Sequence, residues 1–191
     1  MPQKRLDGLR VAVLVTDDFE ESELTEPVKA LRDAGAMVQI VSPKSNEVQA
    51  VRHDVKTNTY PVDVHLPEAN ADQYDAVLLP GGALNADALR AIPEAQQFVQ
   101  KADEDEKPIA VICHGPWLLV SAGLVSGRTL TSYHTIKFDV RNAGGYWVNR
   151  EVARDRNWVS SRSPADIPAF NREMIDLFAG YATKTQQPKA A

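Results

Sequence analysis

A chain of 191 residues, 43% of them hydrophobic, has the length of one domain and enough apolar side chains for a core, which excludes wholesale disorder. The formal net charge of -5, with no basic run, makes nucleic acid and anionic membrane poor partners. No apolar run approaches a membrane span, residues 1–10 carry no apolar signal core, and one cysteine cannot form an internal disulfide, so a cytoplasmic protein is expected.

Residues 9–16 are rich in valine and predict a first strand. After an acidic turn, residues 22–34 predict a helix with Leu24, Val28 and Leu31 on one face, Pro27 near its first turn and Gly35 at its C-terminal end. Residues 37–42 predict the second strand. Residues 45–63 alternate weakly and predict short strands or a hairpin at a sheet edge. Residues 76–79 read as a buried strand ending at Pro80-Gly81-Gly82. Residues 83–105 read as one or two helices, with Pro93 opening the second. The run from Asp103 to Glu106 reads as a solvated helix end.

Residues 109–112 are a short apolar run between Pro108 and Gly115-Pro116, the pattern of a fully buried strand. A short strand near Thr131 and a helix over residues 136–143 follow. Residues 147–161 predict a pair of strands turning near residues 155–157. A closing amphipathic helix covers residues 167–181, and residues 182–191 form a polar, frayed tail. The alternation predicts an α/β fold, doubly wound, with a mostly parallel sheet covered by helices on both faces. One domain spans residues 1–191, with its core over about 9–180.

Cys113 is predicted to sit on a turn between a strand and a helix, an arrangement similar to a nucleophile elbow. The helix N-terminus and the adjacent His114 would favour the thiolate, whereas an unreactive cysteine would simply pack in the core. In a doubly wound sheet, sites form beyond the carboxyl ends of the strands. The loops after residues 16, 79 and 112 carry Glu20, Gly81-Gly82 and Cys113-His114, which converge if those strands are neighbours. Glu20 is then a carboxylic acid donating to the sulfur, or one more acid in an acidic turn. Gly82 and His114 offer backbone N–H groups to an oxyanion, although glycine pairs also make ordinary turns. His53, His65 and His134 lack metal-ligand spacing, so no metal is expected. Without a GxGxxG or P-loop pattern no nucleotide is expected either, and no cofactor is assigned. Trp117 follows the cysteine and could wall a pocket, with core packing the alternative.

The stretch Ala110-Val111-Ile112-Cys113-His114-Gly115-Pro116 resembles the nucleophile motif of the ThiJ/PfpI superfamily, which is related to class I glutamine amidotransferases. Asp18-Phe19-Glu20-Glu21-Ser22-Glu23-Leu24, Leu79-Pro80-Gly81-Gly82, Thr131-Ser132-Tyr133, Asn142-Ala143-Gly144 and Asn157-Trp158-Val159-Ser160-Ser161-Arg162 match it in the same order. The resemblance is strongest to PfpI-like intracellular proteases and general stress proteins. It implies a flavodoxin-like, glutamine amidotransferase-like fold, with Cys113 as nucleophile, His114 as its partner and Glu20, directly after the aromatic residue, as the site acid. It also implies a third member of the triad from a neighbouring subunit at the position of Asp87, hence a homodimer or higher homo-oligomer. Asp87 is shorter than the family's glutamate and could equally cap its helix. The implied activity is a stress-response cysteine hydrolase acting on a small-molecule, peptide or glycated-protein substrate, either peptidase-like or deglycase/glyoxalase-like. The alternative is a redox-sensing or chaperone-like protein in which the same cysteine is oxidised with little turnover.

Overall fold

The computed structural model describes residues 4–186. In chain order the elements are β1 (Arg10–Leu14), β2 (Phe19–Glu20), α1 (Glu21–Asp33), β3 (Met37–Ser42), β4 (Glu47–Arg52), β5 (Val55–Pro61), β6 (Val64–His65), β7 (Ala76–Leu79), α2 (Ala83–Arg90), α3 (Pro93–Glu104), β8 (Ile109–Ile112), α4 (Pro116–Ser121), β9 (Thr129–Leu130), α5 (Lys137–Asn142), β10 (Tyr146–Trp147), β11 (Val152–Asp155), β12 (Trp158–Ser161) and α6 (Ile167–Gln186). Seven strands form the main sheet in the order β11-β12-β8-β7-β1-β3-β6. Every neighbouring pair is parallel except β11 with β12.

Strand side chains alternate between faces, and the two cores follow that alternation. Val11, Val13, Ala76, Leu78, Ala110 and Ile112 pack with Leu24, Val28 and Leu31 of α1 and with Phe170, Met174 and Phe178 of α6. Ala12, Leu14, Val77, Leu79, Ile109 and Val111 face the other way. They pack with Leu89 of α2, Phe98 and Val99 of α3, Leu118 and Leu119 of α4 and Val140 of α5. Strands buried on both faces read as continuous apolar runs, which is why residues 76–79 and 109–112 carry no polar alternation.

Four sequence expectations need correction. The hairpin of residues 45–63 is β4–β5, but it joins β2 in a separate three-stranded sheet, and the edge of the main sheet is the two-residue β6. Pro27 lies past the first turn, inside α1, where it has no N–H to offer the carbonyl of Glu23. Asp103 is no solvated helix end: its Oδ1 accepts from Arg128, Asn157 and the indole of Trp158. Three donors on one carboxylate tie α3 to the strand pair that follows. Finally, α6 continues through Gln186, so the frayed tail does not begin at Ala182. Residues 187–191 lie outside the described residues.

Adjacent β1, β7 and β8 run parallel, so their carboxyl ends open on one edge of the sheet. The loops after those ends carry the groups singled out by the sequence.

Candidate active site

Cys113 follows β8 directly and adopts φ +63°, a left-handed conformation that costs a non-glycine residue energy. The turn is held on both sides. The N–H of Cys113 donates to the carbonyl of Ser161 at 3.1 Å, and its carbonyl accepts from Tyr133 at 2.8 Å. The strained φ lifts the side chain toward the loop after β7, and Pro116 opens α4 just beyond. The elbow inferred from the strand–helix spacing is therefore present.

The imidazole of His114 lies against the thiol, with Nδ1 3.3 Å from Sγ. Its Nε2 is 3.3 Å from Oγ1 of Thr135. With the hydroxyl accepting from Nε2–H, Nδ1 keeps its lone pair facing the sulfur. The rings of Trp117 and Tyr133 flank it at centroid distances of 5.3 and 4.9 Å. Burial, with the charge of neighbouring His134 in support, lowers the His114 pKa, so the ring is neutral near pH 7 and able to take a proton. Trp117 is thus half-buried and walls the site.

The acid beside the sulfur is Glu23, not Glu20. The Glu20 carboxylate is turned away to the hairpin, where Oε2 accepts the backbone N–H of His53 at 2.8 Å. Glu23 lies one turn before Pro27 on the buried face of α1 and is 0% exposed. Its Oε2 accepts the N–H of Gly81 at 2.9 Å. Its Oε1 has no hydrogen-bond partner among the described residues, and the carboxyl is coupled electrostatically to the adjacent thiol. Burial, to which the charge of Glu20 adds, pushes Glu23 up to about 8. At neutral pH it is a carboxylic acid with a proton to donate. An acid on the apolar face of a predicted helix, directly beside Leu24, was the available signal.

Burial and the neighbouring Glu23 charge also push the Cys113 thiol up, while the N–H groups of Gly82 and His114, both donating to Sγ, act in the opposite direction. The sequence expectation of a ready thiolate is corrected accordingly. At 7% exposure, desolvation outweighs the dipole of a helix as short as α4, and the resting site holds a thiol, a neutral imidazole and a protonated Glu23.

The loop Pro80-Gly81-Gly82 approaches so closely that side chains are excluded. A Cβ on Gly81 would fall 2.5 Å from that of Cys113 and collide with Glu23, and Gly82 adopts φ +88°. Gly81→Ala is therefore expected to fold poorly, with its melting temperature lowered by more than about 5 °C. A Gly81→Ala melting curve matching the parent's would show that the loop has room to spare.

The protein's own Asp87 is exposed on α2 and makes no hydrogen bond or ion pair with His114. His53 and His65 stand apart from the sulfur: the backbone N–H of His53 donates to the Glu20 carboxylate, and Nε2 of His65 lies 3.1 Å from the carbonyl of Pro43. A cleft of about 600 Å³ lies at the opposite edge of the sheet, around Pro108 and Asn157. Its arginines are already paired, Arg128 with Asp103, Arg154 with Glu173 and Arg156 with Asp155.

A cysteine on a strained turn, a histidine, a buried acid and two converging N–H groups form one constellation at the edge where β1, β7 and β8 end. Residues 9–177 match the model of the DJ-1/PfpI family. The chain belongs to that family. It is 40% identical over 169 residues to the protein named Deglycase TK1284 of Thermococcus kodakarensis, covering 88% of this chain and 99% of that one. It is 40% identical over 171 residues to General stress protein 18 of Bacillus subtilis, covering 89% and 98%. Among solved structures, a two-domain protein from Anabaena variabilis with DJ-1/ThiJ/PfpI-like and ferritin-like domains superposes with a TM-score of 0.83 at 30% identity. That match covers 95% of this chain and 52% of the other. DJ-1beta of Drosophila melanogaster, at 24% identity and a TM-score of 0.80, shares the fold over 95% of this chain and 99% of its own.

Proposed function

We propose that this DJ-1/PfpI family member is a cysteine-dependent hydrolase of the deglycase type, acting on adducts of a small dicarbonyl such as methylglyoxal with amines or thiols. The observation that carries the reading is Sγ of Cys113, set on a φ +63° turn with a neutral imidazole 3.3 Å away and two backbone N–H groups aimed at it. Nδ1 of His114 takes the thiol proton as sulfur bonds to the electrophilic carbon of the adduct. The N–H groups of Gly82 and His114 hold the oxygen on that carbon, and the carboxylic acid of Glu23 keeps its proton throughout and orients the sulfur. The amine or thiol leaves with the proton held by His114, and water then releases the carbon fragment from sulfur. The name Deglycase, carried by relatives including PfpI of Pyrococcus furiosus, supports this choice over peptide cleavage. The putative cysteine protease YraA of Bacillus subtilis, 38% identical, is what peptide cleavage has in its favour. Burial of the sulfur and the raised thiol pKa weigh against the redox-sensing alternative. Purified protein should release the free amine from methylglyoxal-treated lysine and leave fluorogenic peptides intact. Peptide cleavage without amine release would reject the deglycase reading.

His114 finds no acid within its own chain among the described residues, and Asp87 is exposed on α2 beside Leu84, itself 67% exposed. A homodimer in which Asp87 reaches His114 of the partner subunit accounts for both. Asp87→Ala is then expected to lower kcat about tenfold without unfolding the chain. Mixing Asp87→Ala with Cys113→Ala should restore part of the activity, because one site in the mixed dimer is intact. A monomer in sedimentation that is fully active would exclude the shared site.

A further inference from the structure

We propose that Asn85 is a positioning residue that locks the plane of the Gly81–Gly82 peptide and so aims the N–H of Gly82 at the reacting centre. This rests on the functional reading above but is tested independently of it.

Asn85 lies in the first turn of α2, is 0% exposed, and spends its amide entirely on backbone groups. Its Oδ1 accepts the N–H of Thr16 at 2.8 Å, just past the end of β1. Its Nδ2 donates to the carbonyl of Gly81 at 2.9 Å and to that of Pro80 at 3.3 Å. The amide orientation is fixed by chemistry, since Thr16 offers only a donor and the two carbonyls only acceptors.

The consequence follows from peptide geometry. No described peptide bond is cis, and in a trans peptide the C=O and N–H point in opposite directions from one rigid plane. Pinning the Gly81 carbonyl therefore orients the Gly82 N–H, which donates to Sγ of Cys113. The preceding peptide is clamped in the same manner, its carbonyl on Asn85 and its N–H, that of Gly81, on Oε2 of Glu23. Two successive glycines need such a clamp. They flip between conformations at little cost, and a flipped plane would present a carbonyl oxygen to the nucleophile in place of a donor.

Asn85→Leu keeps about the same side-chain volume, adds no charge and removes the donor that holds both carbonyls. It should lower kcat on the methylglyoxal adduct by about 100-fold, the scale for losing one oxyanion donor, with KM within about twofold. It should also move the pH midpoint of Cys113 alkylation by iodoacetamide upward by about one unit, because the sulfur loses an N–H. A folded variant with the parent's alkylation midpoint overturns the proposal and leaves Asn85 a helix-end anchor. Should the parent turn over no adduct, the functional reading fails while the alkylation midpoint still decides on Asn85. Should Asn85→Leu not fold, parent protein labelled with 15N-glycine carries the test. The Gly82 amide resonance should shift as Cys113 titrates, and one that ignores the titration overturns the proposal.

Discussion

Cys113→Ser is expected to lower kcat/KM on the adduct substrate by at least about 10³-fold, the scale seen when a covalent nucleophile is removed. The hydroxyl preserves the side-chain volume and the φ +63° turn, so the far-UV circular dichroism and melting temperature should match the parent's within a few degrees. What is lost is chemical. A serine hydroxyl is far less acidic than a thiol, and His114, whose pKa is already lowered by burial, is too weak a base to compensate. Residual activity above about one tenth of the parent's would place the nucleophile elsewhere.

Glu23→Gln is expected to stabilise the protein, and increasingly so as pH rises. The folded-state pKa of Glu23, about 8, stands above its ordinary value of 4.5. The native state thus holds a proton that the unfolded chain has released, and its stability falls as pH climbs through that window. Below pH 4.5 both states carry the proton and no penalty arises. Above pH 8 the buried carboxylate must be charged, and the full penalty applies. At roughly 1.4 kcal/mol per pKa unit, the variant should gain on the order of 4 kcal/mol over the parent by pH 8, and little at pH 4. Its carboxamide still accepts from Gly81. Urea unfolding of both proteins at pH 4, 6 and 8 measures the difference, and a constant offset across the three would mean that Glu23 titrates normally.

Much of this was legible in the sequence, for definite reasons. Strands buried on both faces announce themselves as short apolar runs, so β7, β8 and the loops after them could be placed, and with them Gly82, Cys113 and His114. The two helices split by Pro93, and the strand pair turning near Arg156, followed from proline and turn chemistry. What escaped depended on three-dimensional context. The motif resemblance put the site acid at Glu20, three residues from the carboxyl that lies beside the sulfur, because an acidic turn offers several carboxylates and only the helical phase of α1 selects Glu23. The thiol was expected to be acidic because a helix dipole can be read from sequence, whereas a desolvated sulfur next to a buried acid cannot. The role of Asp103 needed Arg128, Asn157 and Trp158, all more than twenty residues away in the chain. Asn85 was one polar residue in a helix until its three backbone partners came together.

The pairing of Cys113 with Glu23 is tested most directly by the rate of Cys113 alkylation with iodoacetamide from pH 5 to 11, in the parent, Glu23→Gln and Glu20→Gln. With the thiol buried and raised, the parent should react more slowly at pH 6 than free cysteine, whose pKa is about 8.5. Glu23→Gln should shift the profile to lower pH, because it removes the negative charge that opposes the thiolate. Glu20→Gln should shift it far less, because that carboxylate is held by His53. A parent that reacts faster than free cysteine at pH 6, or a Glu20→Gln shift as large as that of Glu23→Gln, would contradict the assignment.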